Sequence, residues 1–348
     1  MVKSIFNNKI SPKQLEKLNK YIVQDGFHDR LKDIGRLNLS IMRNPSLGGI
    51  NIFDDHTSTR KNIDIIGKIS KNELNPENGI SFSSKVIVSG YDESKLQFDA
   101  LEGTANITSH SLLTIAEDNY LPISLISIYF YTRSNNLAQR SDSIKLSENP
   151  NEDSNRDYAI DRNQFILDHV IDNSILLIDG PLLGGNLSAY TLSLVSSLHE
   201  KNVIPIFIVK NSSSNLITNS IQDIRQKFNS DLHWAYDFLD LGEGTNFFLY
   251  SDQVNPKNTK VFCYIKPFRH TSPQRVEMHP DTYSMYEDYL GEFLDLIYYY
   301  ILVQGDTNNP QLRPISIAET YAREIIKTIN TRTIFRHTSL VPTMNQKR

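Results

Sequence analysis

Two short apolar runs, each closed by a charged residue, constrain the fold of this chain more than any other feature. Ile175-Leu176-Leu177-Ile178 stops at Asp179-Gly180, and Val203 to Val209 stops at Lys210. Continuous apolar runs of this length mark strands buried on both faces. Between them Ser188 stands as an N-cap, and Leu192, Val195 and Leu198 recur at helical spacing. Strand, helix and strand within about 35 residues make a βαβ unit, whose two strands pair in parallel.

Upstream, Val86 and Val88, then Phe98, Ala100 and Leu101, predict a core strand ending at Glu102-Gly103-Thr104. Leu112 to Ile115 and Leu125 to Tyr131 predict two more strands, which completes an antiparallel meander. Residues 134–157 are polar and acidic (Asp142, Glu148, Glu152, Asp153, Asp157), the composition of an exposed loop, and a short helix follows from roughly Asp157 to Val170. Further strands are expected at Asn246–Tyr250, Val261–Ile265 and Arg275–Met278. A Tyr-rich helix (Tyr286, Leu290, Phe293, Ile297, Tyr300) and a last helix from about Ser316 to Ile329 complete the pattern. A meander feeding a parallel βαβ segment gives an α/β fold. Its mixed sheet carries helices on both faces, and the order is that of an RNase H-like core, among other α/β possibilities.

The N-terminal part is less informative. Ser11-Pro12 predicts a helix start, with Leu15, Leu18 and Ile22 as an apolar stripe, while residues 44–79 are polar and turn-rich. The expected division is a helical and irregular arm over 1–90, serving as a dimer or partner surface, a core over 91–335, and a basic tail over 336–348.

Composition narrows the function classes. The formal charge of −4 over 348 residues provides no global basic field, so any nucleic-acid contact must come from local patches. One such patch runs from Arg323 to Arg348, with six Lys or Arg and the single acid Glu324. A lone cysteine, Cys263, excludes an intramolecular disulfide framework and a cysteine-rich zinc site. Met1-Val2-Lys3-Ser4 leads into polar sequence without an apolar signal region, and Leu296 to Val303 is only eight residues long. A cytoplasmic protein with no membrane partner is expected.

Glu102 and Asp179 are the acids placed at strand ends. If those strands are neighbours, both carboxylates face the crevice where α/β sheets hold their ligands. Converging carboxylates repel unless cations neutralise them, and hard oxygen donors select Mg2+ or Mn2+. Such a site suits phosphodiester hydrolysis, with two metals ~3.5–4 Å apart activating water and stabilising the leaving oxygen. Asp-Gly after a strand is also a common turn, and spacing does not choose between the two roles.

Taken together, ILLIDGPL (Ile175 to Leu182), VIPIFIVK (Val203 to Lys210), RVEMHP (Arg275 to Pro280), RPISIAE (Arg313 to Glu319) and FDALEGT (Phe98 to Thr104) resemble, in order, motifs of the NurA nucleases. The resemblance implies that Glu102 and Asp179 are metal ligands, joined by a helical acid, Asp161, with Asp157 and Asp168 as rivals. It implies that Lys210 meets the scissile phosphate and that Arg275 contacts the DNA backbone. Each basic residue has a structural alternative, a strand-end lysine and an Arg275–Glu277 pair. The resemblance further implies a homodimer working with a HerA-type hexameric ATPase on DNA, in end processing or defence against foreign DNA. Glu102 stands where the family has Asp, and Glu319 stands at the family's His position as a catalytic residue, a metal ligand or a base. These departures keep open a catalytically weakened subunit that binds the translocase and guides DNA. His279, a lone histidine after a strand, reads as structural.

Overall fold

In a computed structural model of the protein, residues 9–18, 20–36, 61–66, 68–117, 119–210, 214–253, 255–307 and 310–328 are described. The chain begins with α1 (Pro12–Leu15), β1 (Lys20–Val23) and α2 (Phe27–Gly35). Strands β2 (Lys61–Ile65) and β3 (Lys71–Glu73) then lead into α3 (Pro76–Ser83). The meander is β4 (Val88–Ala100), β5 (Gly103–Ala116) and β6 (Asn119–Thr132). After α4 (Asn135–Ala138) and β7 (Ile144–Leu146) come α5 (Pro150–His169), β8 (Ile175–Asp179), α6 (Ser188–Glu200) and β9 (Ile204–Val209). Short helices α7 (Leu216–Ser220), α8 (Gln222–Arg225) and α9 (Asp231–Phe238) precede β10 (Glu243–Thr245), β11 (Phe248–Asp252), β12 (Thr259–Lys266) and β13 (Gln274–Met278). Helices α10 (Pro280–Met285), α11 (Leu290–Gln304) and α12 (Arg313–Thr328) close the described chain.

Among the described residues thirteen strands form one mixed sheet, ordered β1-β6-β5-β4-β8-β9-β13-β12-β10-β3, with β2, β7 and β11 off that path. The central order β6-β5-β4-β8-β9 has antiparallel pairs in the meander and parallel pairs from β4 through β8 to β9. That is the RNase H-like order expected of the sequence. Apolar residues alternate along the strands and split the core into two layers. One layer packs Leu176, Ile178 and Phe207 against α5, α6 and α9 through Phe165, Leu198 and Trp234. The other packs Leu177, Ile206 and Val276 against α3, α11 and α12 through Phe82, Phe293, Ile297 and Ile315. Cys263 is a fully buried member of this second layer. Among the described residues no helix is long and apolar enough to cross a membrane.

Three expectations change. The first helix is one turn long; its Ser11 cap forms a capping box with Gln14, but Ile22 belongs to β1, which pairs in parallel with β6. Leu18 is 2% exposed in the protein's own core while Leu15 is exposed, so the expected stripe does not form one helix face. The described residues before 90 also join the same sheet, through β1, β2 and β3, rather than making a separate arm. In place of an exposed loop and short helix, residues 134–157 hold α4, β7 and the start of α5, which runs for 20 residues. Pro150 in its first turn, followed by Glu152 and Asp153, supplies the start signal. The proposed tail over 336–348 lies outside the described residues.

Helix α12 approaches β4 closely at Gly90, where a Cβ would come within 2.4 Å of the Pro314 backbone. Gly90→Ala is therefore expected to push α12 off the sheet and to cost about 1–3 kcal/mol, read from urea unfolding midpoints. An unchanged midpoint would mean that α12 yields freely.

Candidate active site

Polar side chains gather where three neighbouring strands, β4, β8 and β9, end or diverge. Two-residue periodicity places Val88, Gly90 and Asp92 of β4 on the face covered by α12. Ile175, Leu177 and Asp179 of β8 follow suit, as do Ile206, Ile208 and then Lys210 after β9. The β4–β8 pairing runs from Val88↔Ile175 to Tyr91↔Ile178. Asp92 and Asp179 are the next pair in that register, on adjacent strands whose spacing is about 4.8 Å. β8 ends there, while β4 continues into the meander hairpin. Gly180, with φ +102°, turns the chain away in a conformation that only glycine adopts easily, so Asp179-Gly180 is both a turn and part of the cluster.

Electrostatics single out the pair. Burial, then the charges of Asp179 and Glu93, push the Asp92 carboxyl up to about 8, against a weaker pull from Lys210. Burial also raises Asp179, opposed by Lys210, whose Nζ donates to its Oδ2 at 2.9 Å, and by the Gly180 amide. Two acids held side by side above their ordinary range form a site that favours a proton or a cation. As oxygen donors they fit a hard divalent ion, since Mg2+ takes one or two carboxylates and completes its shell with water and phosphate.

Beneath the pair, on the α5 face, the Tyr158 hydroxyl donates to Glu93 at 2.6 Å and Lys95 covers the Tyr158 ring. Across the ladder from Glu93 lies His110, fully buried, with Nδ1 2.7 Å from the Tyr91 hydroxyl. Burial, then Lys95 and Arg162, holds His110 down to about 3. With its folded value depressed, the neutral imidazole contributes stability in full above pH ~6.5 and loses it as pH falls toward 3. Between pH 7 and 5 the wild-type protein should lose about 2 kcal/mol that a His110→Asn variant does not lose. Melting curves at both pH values check this, and parallel losses would contradict it.

The structure separates several residues that the sequence grouped. Glu102 is not beside Asp179: β4 and β5 pair out to Ala100↔Gly103, so Glu102 sits in the hairpin turn. That turn lies ten residues past Asp92, roughly 30 Å along the strand. Asp161 accepts from the Tyr129 hydroxyl at 3.0 Å, and Asp157 accepts from Tyr131 and Lys145 at 2.7 and 2.6 Å, both between α5 and β6 on the opposite face from Asp92. Asp168 is exposed and accepts from Gln164 at 2.7 Å. No acid of α5 joins the pair. Arg275 cannot reach a DNA backbone, being 1% exposed, with Nε 2.7 Å from Glu277. Burial would raise Glu277, but Lys260 and Arg275 outweigh it and hold the carboxylate down. Its other oxygen accepts from the Leu182 amide at 2.9 Å, so this buried triad anchors the segment leaving Asp179. Glu319 lies on α12, bonded to Gln311 at 2.8 Å and paired with Arg323. His279 caps α10, accepting from the Asp281 amide.

Asp92 is the residue that sequence reasoning missed. The apolar run Val86-Ile87-Val88 is followed within a few residues by the acids Asp92 and Glu93, the pattern that was read only at Glu102. Among the described residues no three His, Cys, Asp or Glu converge into a metal cage, so the centre is a pair with an adjacent lysine.

The NurA domain model matches residues 111–317, more than half of the chain, including Asp179 and Lys210 but not Asp92. No protein of curated function matches. Among solved structures, a NurA nuclease from Sulfolobus solfataricus is 12% identical, with 76% of this chain and 86% of that one covered and a TM-score of 0.47. A second NurA structure is 9% identical over 75% and 89% of the two chains, with a TM-score of 0.37. Endonuclease V of Ciona intestinalis, in complex with inosine-containing DNA, is 12% identical over 70% and 87%, at 0.33.

Proposed function

The chain belongs to the NurA family, and on that footing we propose that it is a divalent-metal-dependent nuclease cutting phosphodiester bonds of DNA at Asp92 and Asp179. The observation that carries this reading is the pair itself: two carboxylates one residue past the last β4–β8 pair, both raised by burial, with the Asp179 charge acting on Asp92. Asp92 and Asp179 would hold Mg2+ or Mn2+, which when bound supplies charge neutralisation and a more acidic water. Lys210, paired with Asp179, would bind a non-bridging phosphate oxygen as a point charge. The start of α12 over Gly90 shields one side, which strengthens each of these charges.

From the family resemblance the working assembly is a homodimer with a HerA-type hexameric ATPase, in DNA-end processing or defence. Cleavage of end-labelled linear DNA with Mg2+, Mn2+ or EDTA, with and without the translocase, tests the reading. Metal-dependent products that vanish in EDTA support it, and no cleavage with any metal or partner opposes it. Light scattering at micromolar concentration tests the dimer, and a 40 kDa monomer that persists with DNA and translocase present would oppose it. The weakened-subunit reading draws on two observations, that Glu319 is tied to Gln311 and Arg323 and that no third acid joins the pair among the described residues. Tight DNA binding without cleavage in the same assay would favour it.

A further inference from the structure

We infer that the cavity beside Lys210 is a nucleotide subsite, holding a nucleotide of the substrate strand next to the one under attack. The inference rests on the nuclease reading for the identity of the strand, but its evidence is separate. The cavity encloses about 610 Å3, bounded by Lys210, Phe268, Arg269, His270, Gln274 and Pro310. That volume is within the ~300–1,000 Å3 typical of small-molecule sites. Arg269 and His270 stand exposed on the loop between β12 and β13, so with Lys210 one wall presents hydrogen-bond donors and positive charge. This is the chemistry that takes a phosphate.

Gln274 separates a nucleotide from a bare anion. It is 1% exposed, and its amide nitrogen donates to the Pro310 carbonyl, which fixes which end of the amide is oxygen. The buried Oε1 has no hydrogen-bond partner among the described residues. A buried acceptor left unmet costs about 1–3 kcal/mol, so a ligand that brings a donor as well as a phosphate is favoured here. Inorganic phosphate has a P–OH to offer but is taken up by the basic wall, whereas a nucleotide of a DNA strand leaves its phosphate there and brings a base amino group to Oε1. Lys210 joins the cavity to Asp179 directly, so a strand occupying it continues across the acid pair.

The test is binding, read apart from cleavage. Fluorescence anisotropy with a labelled single-stranded oligonucleotide in EDTA compares wild type, Arg269→Ala and Gln274→Met across a salt series. Arg269→Ala, an exposed substitution, should raise Kd about tenfold at low salt. It should also flatten the plot of log K against log salt by about 0.7, as expected when a single strand has one phosphate fewer neutralised by the protein. In competition, a deoxynucleoside monophosphate should displace the oligonucleotide from wild type at lower concentration than inorganic phosphate, and Gln274→Met should erase that difference. An unchanged Kd and slope in Arg269→Ala, or equal competition by phosphate and nucleotide in wild type, overturns the subsite. Because the assay contains no metal, loss of cleavage by the enzyme as a whole leaves its outcome unaffected.

Discussion

Asp92→Asn is expected to lower the cleavage rate by at least ~10^3-fold and, in the same protein, to raise thermal stability at pH 8. Both effects have one cause. The carboxyl is buried beside Asp179 and Glu93 and is pushed up to about 8 from an ordinary 3.8. A folded value raised above the unfolded one contributes stability that is complete below pH ~3.8 and is lost as pH climbs through ~8. At pH 8 the native protein carries most of that loss, of order a few kcal/mol, and an asparagine of the same size does not. Added Mn2+ should raise the melting temperature of the wild type and leave that of the variant unmoved. Retained cleavage would remove Asp92 from the centre, and a lower melting temperature at pH 8 would make it a structural acid.

Asp179→Asn should lose cleavage to a similar degree, at least ~10^3-fold, and the double variant should be no slower than either single one. Residues that act as a unit fail to multiply, because removing one ligand already dismantles the site. Asp179 is also the largest charge acting to raise Asp92. In Asp179→Asn the pH at which stability declines should therefore move down, a shift that a pH series of melting curves reads directly. Losses that multiply between the two variants would show two independent sites.

The parallel half of this fold was legible because burial on both faces writes itself as continuous apolar sequence. The runs Ile175 to Ile178 and Val203 to Val209 match β8 and β9 to within one residue at each end, and Lys210 does meet Asp179. The meander half misled. Its strands are longer than the sheet they pair with, so β4 passes the site at Asp92 and ends at a hairpin far from it. An acid in mid-strand such as Asp92 leaves no stop signal, whereas Gly103 after Glu102 advertises a strand end that lies far from Asp179. Helix α5 hid for a different reason: its first half faces Tyr129, Tyr131 and Lys145 with acids, so it lacks the apolar stripe that periodicity seeks. For Arg275 the structural alternative holds, the pair with Glu277, while its DNA contact depended on a face that sequence alone does not tell, since Gln274 faces the cavity and Arg275 the core.

Crystals soaked in Mn2+ and measured at a wavelength where manganese scatters anomalously test the central claim most directly. The account predicts an anomalous peak within about 2–2.5 Å of carboxylate oxygens of both Asp92 and Asp179, with Lys210 Nζ displaced from Asp179. Density for manganese at Glu102 or between Asp157 and Asp161, with none at the Asp92–Asp179 pair, would contradict it.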